Sequence, residues 1–419
     1  GAREGRVRGG FDKGLNGDIL SDMSIGVYVP SFPSVPFPLI SVFPSFRHSP
    51  MYNSPCTRLF PRRLLFLFVL LIIFIVIAIV VNYGGYQSVP HNANPYSLPP
   101  KFYRQRMFKD MPLRKNYYLI GSLQTFPMNA GLGNHVFEML GLLGIARRVG
   151  RTASISSIEY SHFLWQHAEL RNLLQAFDKK DVTPWISSIP HLNFDYFNCC
   201  HFHTEIADQI SVRNETIIKT TLIYLQSFKY FSNIPKGEVI KLLDISDSLK
   251  KKAEVRFPSG MNGRQTKICV HSRRGDFISS MVQAASSYIF TIPAINYLLE
   301  EFKDPFLVLI GDDMDWQTKL AHNLSVPVAI LRTRGLPPTV DWHFSKQHCD
   351  VVLLTASAST FGWWLAYVSK GQRVFYNNVY SKPDGFKTDL DPDDFFPYEW
   401  TALEYDPSTR AVGTRPRFN

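Results

Sequence analysis

Cysteine is scarce in this chain, with five among 419 residues. No two of them have the spacing of zinc ligands, which argues against a zinc-stapled module. Long Lys/Arg blocks and heptad-bearing basic helices are missing too. The net charge of +10 therefore suits an anionic small ligand or lipid headgroups, and nucleic-acid binding is not expected. There is no Walker loop and no Ser-His-Asp order, so neither P-loop chemistry nor triad hydrolysis is indicated. No internal repeat is visible. The acidic run Asp389-Leu390-Asp391-Pro392-Asp393-Asp394 lacks the glycine and terminal glutamate of a calcium loop and reads as a solvated loop.

Long apolar runs are represented by one segment. Residues 64–81, LLFLFVLLIIFIVIAIVV, give about 18 uncharged residues and ~27 Å of helix, close to the hydrocarbon thickness of a bilayer. The run is too long and too far from the start for a signal peptide, and it has no polar stripe, so it predicts a transmembrane signal-anchor. Arg58, Arg62 and Arg63 precede it while residues 82–86 carry no charge. That bias places the N-terminus in the cytosol and the remainder in a lumen or outside the cell. Cys56 would lie on the cytosolic side, where reversible acylation is one option. Cys199, Cys200, Cys269 and Cys349 would meet an oxidising compartment. Adjacent Cys199 and Cys200 are poorly placed to pair with each other, and a bond from one of them to Cys349 is conceivable but not assignable. Two glycosylation sequons begin at Asn214 and Asn323, on the luminal side in this topology.

Residues 1–63 are rich in Gly, then Pro, Ser and Phe, and read as a disordered cytosolic tail. Residues 82–115 read as a stem. From about residue 117 the pattern becomes globular. A strand over 117–123 leads through Asn129-Ala130-Gly131-Leu132-Gly133-Asn134 into a helix reaching about residue 149. Apolar 221–225, a helix around 237–255, and strands over 267–270, 306–310, 326–331, 350–354 and 373–376 follow. Helices are expected near 292–302, 317–322 and 361–370. This alternation argues α/β layers with mostly parallel sheets. Two units fit, 116–262 and 263–419, joined near residues 258–266.

Four segments carry candidate chemistry. The glycine loop ending in Gly131, Gly133 and Asn134 opens a helix, an anion-friendly arrangement, or simply a turn that lets helix and strand pack closely. His271-Ser272-Arg273-Arg274-Gly275-Asp276 delivers two guanidiniums and a carboxylate onto one turn. Arginine forks match phosphate oxygens bidentately, and glycine eases the turn. Asp312 and Asp313 end a strand, with Asp313-Met314-Asp315 in D-x-D form. They could hold a divalent cation, accept hydrogen bonds from a ribose or base, or cap the next helix. Ser359-Thr360-Phe361-Gly362-Trp363-Trp364 places hydroxyls and free amides at a helix start, with the indoles in the core. His201-Phe202-His203-Thr204-Glu205 reads as ordinary half-buried residues, with no metal expected.

Together these segments resemble the galactoside α-1,2-fucosyltransferase family, glycosyltransferase family 11, over roughly residues 117–380. The resemblance implies a GT-B-like fold of two Rossmann-like domains behind a single transmembrane helix, in a type II Golgi membrane glycoprotein with a luminal catalytic domain. The N-terminal domain, 116–262, would lie on the acceptor side, and the C-terminal domain, 263–419, would bind the GDP-sugar. It implies inverting transfer of L-fucose from GDP-fucose to the 2-hydroxyl of a galactose-terminated glycan, with no metal or other cofactor.

Carried onto this sequence, it implies that Arg273 and Arg274 grip the diphosphate, with His271, Asn134, Gly131 and Gly133 shaping the site. Ser359, Thr360 and Phe361 would close the other side, with Asp312 or Asp313 near the guanosine. Asp276 is either the base or the group that orients an arginine. One departure is His135, where the family has Gln. A fucosyltransferase of another linkage or with a protein acceptor, and an inactive membrane-anchored carbohydrate-binding protein, are the competing functions.

Overall fold

The computed structural model describes residues 110–125, 130–179, 189–194, 200–222, 224–261, 263, 266–382 and 390–416. The tail 1–63, the run 64–81 and the stem as far as residue 109 lie outside them. Among the described residues no helix is long and apolar enough to cross a membrane.

Short strands and intervening helices build two sheets. The first runs β3 (Asp178–Lys179), β2 (Thr152–Ile155), β1 (Tyr118–Leu123), β5 (Ile217–Leu222) and β4 (His191–Asn193), all parallel. The second runs β12 (Ala411–Arg415), β11 (Thr401–Asp406), β10 (Arg373–Asn377), β9 (Val351–Leu354), β6 (Thr266–Ser272), β7 (Pro305–Gly311) and β8 (Val328–Ile330). Its strands are parallel except β12, which pairs antiparallel with β11. β7 and β9 read as continuous apolar runs because both faces of the sheet are covered. β5 alternates instead, burying Ile218, Thr220 and Leu222. The order reverses between β6 and β9 in the second sheet and between β1 and β5 in the first. At such a reversal the crossovers leave on opposite faces and open a crevice at the carboxyl ends of the strands.

Several expected elements shift for identifiable reasons. The helix expected around 237–255 is two helices, Lys236–Leu242 and Asp247–Glu254, because Ser246 caps the second by accepting from Leu249 N. The apolar stretch 221–225 is not one strand: β5 ends at Leu222, and Tyr224 and Leu225 take positive φ. The helix expected from 317 starts at Met314, since Asp313 caps it through Trp316 N. Helix Thr339–His348 and the β11–β12 hairpin are additional to the expected elements.

An aromatic cluster joins the two sheets' helices. Phe137, on helix Leu132–Arg148, lies 4.7 Å from Trp363 and 4.8 Å from Trp364 between ring centroids. Both indoles are fully buried on helix Thr360–Tyr367. Their N–H groups are satisfied, Trp363 donating to Phe395 O (2.8 Å) and Trp364 to Gly133 O (3.0 Å). Burying such rings with their polar edges paired dominates the energy of a contact like this.

Beneath the second crevice, Cys269 of β6 is disulfide-bonded to Cys349, with Cα atoms 5.6 Å apart and both residues fully buried. This displaces the pairing of Cys199 or Cys200 with Cys349 considered from sequence. The reason is register: Ile268 pairs with Val351, and Asp350 N donates to Lys267 O, which brings Cys349 beside the start of β6. The bond closes a long loop, so Cys269→Ala/Cys349→Ala should lower unfolding stability by about 2–5 kcal/mol. A denaturant midpoint equal to the parent's contradicts this.

Candidate active site

β6 carries the His271–Asp276 segment directly to the second switch point. His271 is buried, with its ring against the Gly362 backbone and no hydrogen-bond partner at Nδ1. Burial, with the Arg273 charge nearby, pushes its imidazole down to about 3, so the ring is neutral and packs as an aromatic wedge. Thr355, beyond the end of β9, reaches across: its N–H and its hydroxyl donate to His271 O at 3.1 and 2.9 Å. Its hydroxyl also bonds the Ser286 hydroxyl at 2.6 Å.

The arginine turn that follows is held by carboxylates. Asp312 Oδ1 accepts from Arg274 N (2.9 Å), and its Oδ2 accepts from Gly275 N (3.1 Å) and lies 3.3 Å from Arg273 Nη1. A Cβ on Gly275 would lie 2.9 Å from that Oδ2. The turn residue needs no positive φ, so the glycine is there to admit the carboxylate. Asp276, whose side chain is 63% exposed, accepts at Oδ1 from Arg273 Nε at 2.8 Å. Arg274 is more enclosed. Its Nε donates to Asp313 Oδ2 (3.0 Å), its Nη1 to Ser286 O (2.7 Å), and it lies 5.2 Å over the Trp316 ring, which stacks on Tyr288. Asp313 also caps helix Met314–His322, leaving exposed Asp315 as the other half of the D-x-D pattern. Capping and the arginine hydrogen bond hold the Asp313 carboxyl below its usual range.

Two helix starts meet beside this turn. Helix 132–148 begins at Leu132 and helix 360–367 at Thr360. A Cβ on Gly133 would meet Thr360 C at 2.6 Å and Phe361 N at 2.7 Å. Asn134 Oδ1 accepts from Thr360 Oγ1 (2.8 Å) and from Gln226 Nε2 (3.0 Å). Ser359 uses its hydroxyl as the cap, accepting from Gly362 N, and Phe361 stacks on Trp342. Gly131 is exposed, with open space around it. First-turn amides at such helix starts form an anion-binding locus.

Behind the glycine loop lie buried titratable groups. Glu138 is fully buried and accepts from Thr125 N, Thr125 Oγ1 and Tyr224 N. Burial pushes its carboxyl up to about 7, against the lowering effect of those hydrogen bonds. His135 Nε2 lies 3.3 Å from Thr125 O and its Nδ1 2.8 Å from His167 Nε2. An imidazole that donates from Nε2 accepts at Nδ1, so His167 is the donor of that pair. Burial pushes both rings down to about 4.

The remaining sequence candidates lie elsewhere. Asn214 and Asn323 are exposed. Among the described residues His201, Asp391 and Asp394 bring possible ligand atoms within 4.8 Å of one another. Lys229 Nζ already lies 2.5 Å from Asp394 Oδ1, and Phe202 N donates to Asp394 Oδ2 (2.7 Å). The 390–394 stretch is thus not simply solvated: Asp391 caps helix Pro392–Phe395 and Asp394 is a partly buried ion-pair partner. Ser286, Thr355 and Gln226 complete the site without a sequence signal, because each lies outside the motif it supports, while Trp316 directly follows the Asp313-Met314-Asp315 pattern and packs its ring against Arg274.

Residues 201–404 match Glycosyl transferase family 11. A galactoside 2-alpha-L-fucosyltransferase of Caenorhabditis elegans is 32% identical over 305 residues, covering 68% of this chain and 80% of that protein. Galactoside 2-alpha-L-fucosyltransferase Sec1 of Mus musculus is 26% identical over 292 residues, covering 67% and 74%. Among solved structures, NodZ alpha-1,6-fucosyltransferase soaked with GDP-fucose aligns at a TM-score of 0.39 and 12% identity, over 72% of this chain and all of that one.

Gly133→Ala should cost about 1–3 kcal/mol by forcing the two helix starts apart, whereas Gly131→Ala should change stability by under ~0.5 kcal/mol; equal thermal shifts contradict the close approach. A carboxyl raised above its ordinary 4.5 to about 7 contributes stability that is fully present below 4.5 and lost as pH rises through about 7. The melting temperature of Glu138→Gln should therefore gain on the parent's between pH 5 and pH 8.5. A pH-independent difference argues against this.

Proposed function

Since the chain belongs to glycosyl transferase family 11, the galactoside α-1,2-fucosyltransferase family of enzymes, we propose that it moves L-fucose from GDP-fucose to the 2-hydroxyl of a galactose residue on a glycan, with inversion. The two parallel sheets are then the Rossmann-like halves of a GT-B-like transferase. The donor belongs at the β6–β9 crevice and the acceptor beside the β1–β5 crevice. The observation that carries this reading is the Arg273-Arg274 turn at a strand-order reversal, supported from three sides before any ligand arrives.

Inverting transfer needs an acceptor oxygen in line with C1 and a stabilised diphosphate leaving group. Arg273, tied to two partly exposed carboxylates, exchanges Asp276 for phosphate oxygens while Asp312 keeps its aim. Arg274 stays enclosed and adds its charge from behind. The first-turn amides of Thr360 and Phe361 supply further donors. Because cationic side chains neutralise the leaving group, the reaction is proposed to run without a metal. Asp276, released when Arg273 turns to the donor, is the proposed base for the acceptor hydroxyl.

The chain is further proposed to be a type II Golgi membrane protein anchored by residues 64–81, with its catalytic part luminal and glycosylated at Asn214 and Asn323. The buried Cys269–Cys349 bond supports an oxidising compartment.

The test is GDP release from GDP-fucose with a panel of glycan and protein acceptors, with and without a chelator, followed by linkage analysis. Transfer to galactose O2 that survives chelation is expected. A different linkage, a protein acceptor, or donor binding without turnover would each overturn the reading. Arg273→Ala should lower kcat by about 10²–10³, and Asp276→Asn should lose the acidic limb of the pH–rate profile. Arg273→Ala activity within about threefold of the parent contradicts the assignment.

A further inference from the structure

One buried acid touches both loops that flank the first sheet's crevice. Thr125 follows β1, is fully buried, and has every polar group engaged by helix 132–148 or its lead-in. Its N–H lies 3.2 Å from both Glu138 oxygens and its hydroxyl 2.6 Å from Glu138 Oε2. Its carbonyl accepts from Ala130 N at 3.1 Å and lies 3.3 Å from His135 Nε2. On the other side, Tyr224 follows β5 and donates its N–H to Glu138 Oε1 at 2.8 Å.

Tyr224 and Leu225 have φ of 59° and 41°, consecutive left-handed positions held by residues with bulky side chains. Such a conformation persists only where its surroundings over-determine it, and it concentrates at ligand sites. Here the Glu138 carboxylate holds the first residue and Gly141 makes room for the Leu225 side chain. The next residue, Gln226, donates to Asn134 Oδ1, which accepts from Thr360 Oγ1 of the donor-side helix.

We propose that Glu138 is a positioning residue for the acceptor: it ties the loop after β1 to the loop after β5 and, through Gln226 and Asn134, sets both against the start of helix 360–367. This rests on the fucosyltransferase reading above. The carboxyl needs no charge for the task. Ionised, it accepts from both backbone N–H groups and from the Thr125 hydroxyl; protonated at Oε2, it donates to that hydroxyl while Oε1 still serves both N–H groups. Gln reproduces that pattern and Leu, of similar size, removes it.

The experiment compares Glu138→Gln with Glu138→Leu in the full chain, using GDP-fucose and lactose as acceptor probe, with GDP affinity measured by calorimetry. The expected result is an acceptor KM within about threefold of the parent for Gln and raised about tenfold or more for Leu, with GDP affinity within about twofold for both. Equal acceptor KM for Gln and Leu, or GDP affinity falling in parallel with KM, overturns the proposal. Should the Leu variant not fold, Thr125→Val removes the hydroxyl that pairs with Glu138 Oε2 at nearly constant shape and should raise acceptor KM in the same sense; no change there also overturns it. Faster amide exchange at Thr125 and Tyr224 in Leu than in Gln reads the clamp without catalysis. Failure of the parent to fucosylate any galactoside would count against the transferase reading and leave that exchange result to judge the clamp.

Discussion

Asp312 determines what the arginine turn can do. Its two oxygens take the backbone N–H groups of Arg274 and Gly275 and face the Arg273 guanidinium, so backbone direction and side-chain aim are set together. Hydrogen bonds to a charged acceptor contribute about 1.5–3 kcal/mol each. The exposed Arg273–Asp276 pair contributes at most about 1 kcal/mol. That difference sorts the roles: Asp312 keeps the turn while Asp276 yields to an incoming anion. An arginine already fixed in place loses less entropy on binding, which is where preorganised sites gain affinity.

The second constraint is the meeting of two helix starts. Gly133 lets helix 132–148 approach the backbone of Thr360 and Phe361, and Asn134 bridges them. Trp364 closes the joint by donating to Gly133 O. One glycine, one amide and one indole thereby connect the crevice of the first sheet to that of the second. Glu138 and His135, one turn along the same helix, carry the constraint to Thr125 and Tyr224.

Local patterns were legible in the sequence where one segment supplies the information. The alternation of strands and helices, the glycine-opened helix, the Arg273-Arg274 turn and the buried Trp363-Trp364 pair all follow from residues near one another. What sequence left hidden depends on remote contacts. Asp312 and Asp313 read as ribose or metal partners or as a helix cap; Asp313 does cap helix Met314–His322, but the sequence does not reveal that the two also hold arginines nearly forty residues earlier. Ser286 and Thr355 look like ordinary hydroxyls until β6 and β9 are neighbours. The Cys269–Cys349 bond depends on the same pairing, and the His135–His167 pair depends on how the segment after β2 folds back.

The direct measurement of the central claim is GDP affinity in Asp312→Asn. Coulomb repulsion alone says that removing a carboxylate beside a diphosphate site should tighten binding. An Asp312 that acts by holding the arginine turn requires the reverse. Calorimetric titration of GDP should show binding weakened about tenfold or more in Asp312→Asn, a loss of ~1.4 kcal/mol. Unchanged or tighter binding by the folded variant would contradict the account.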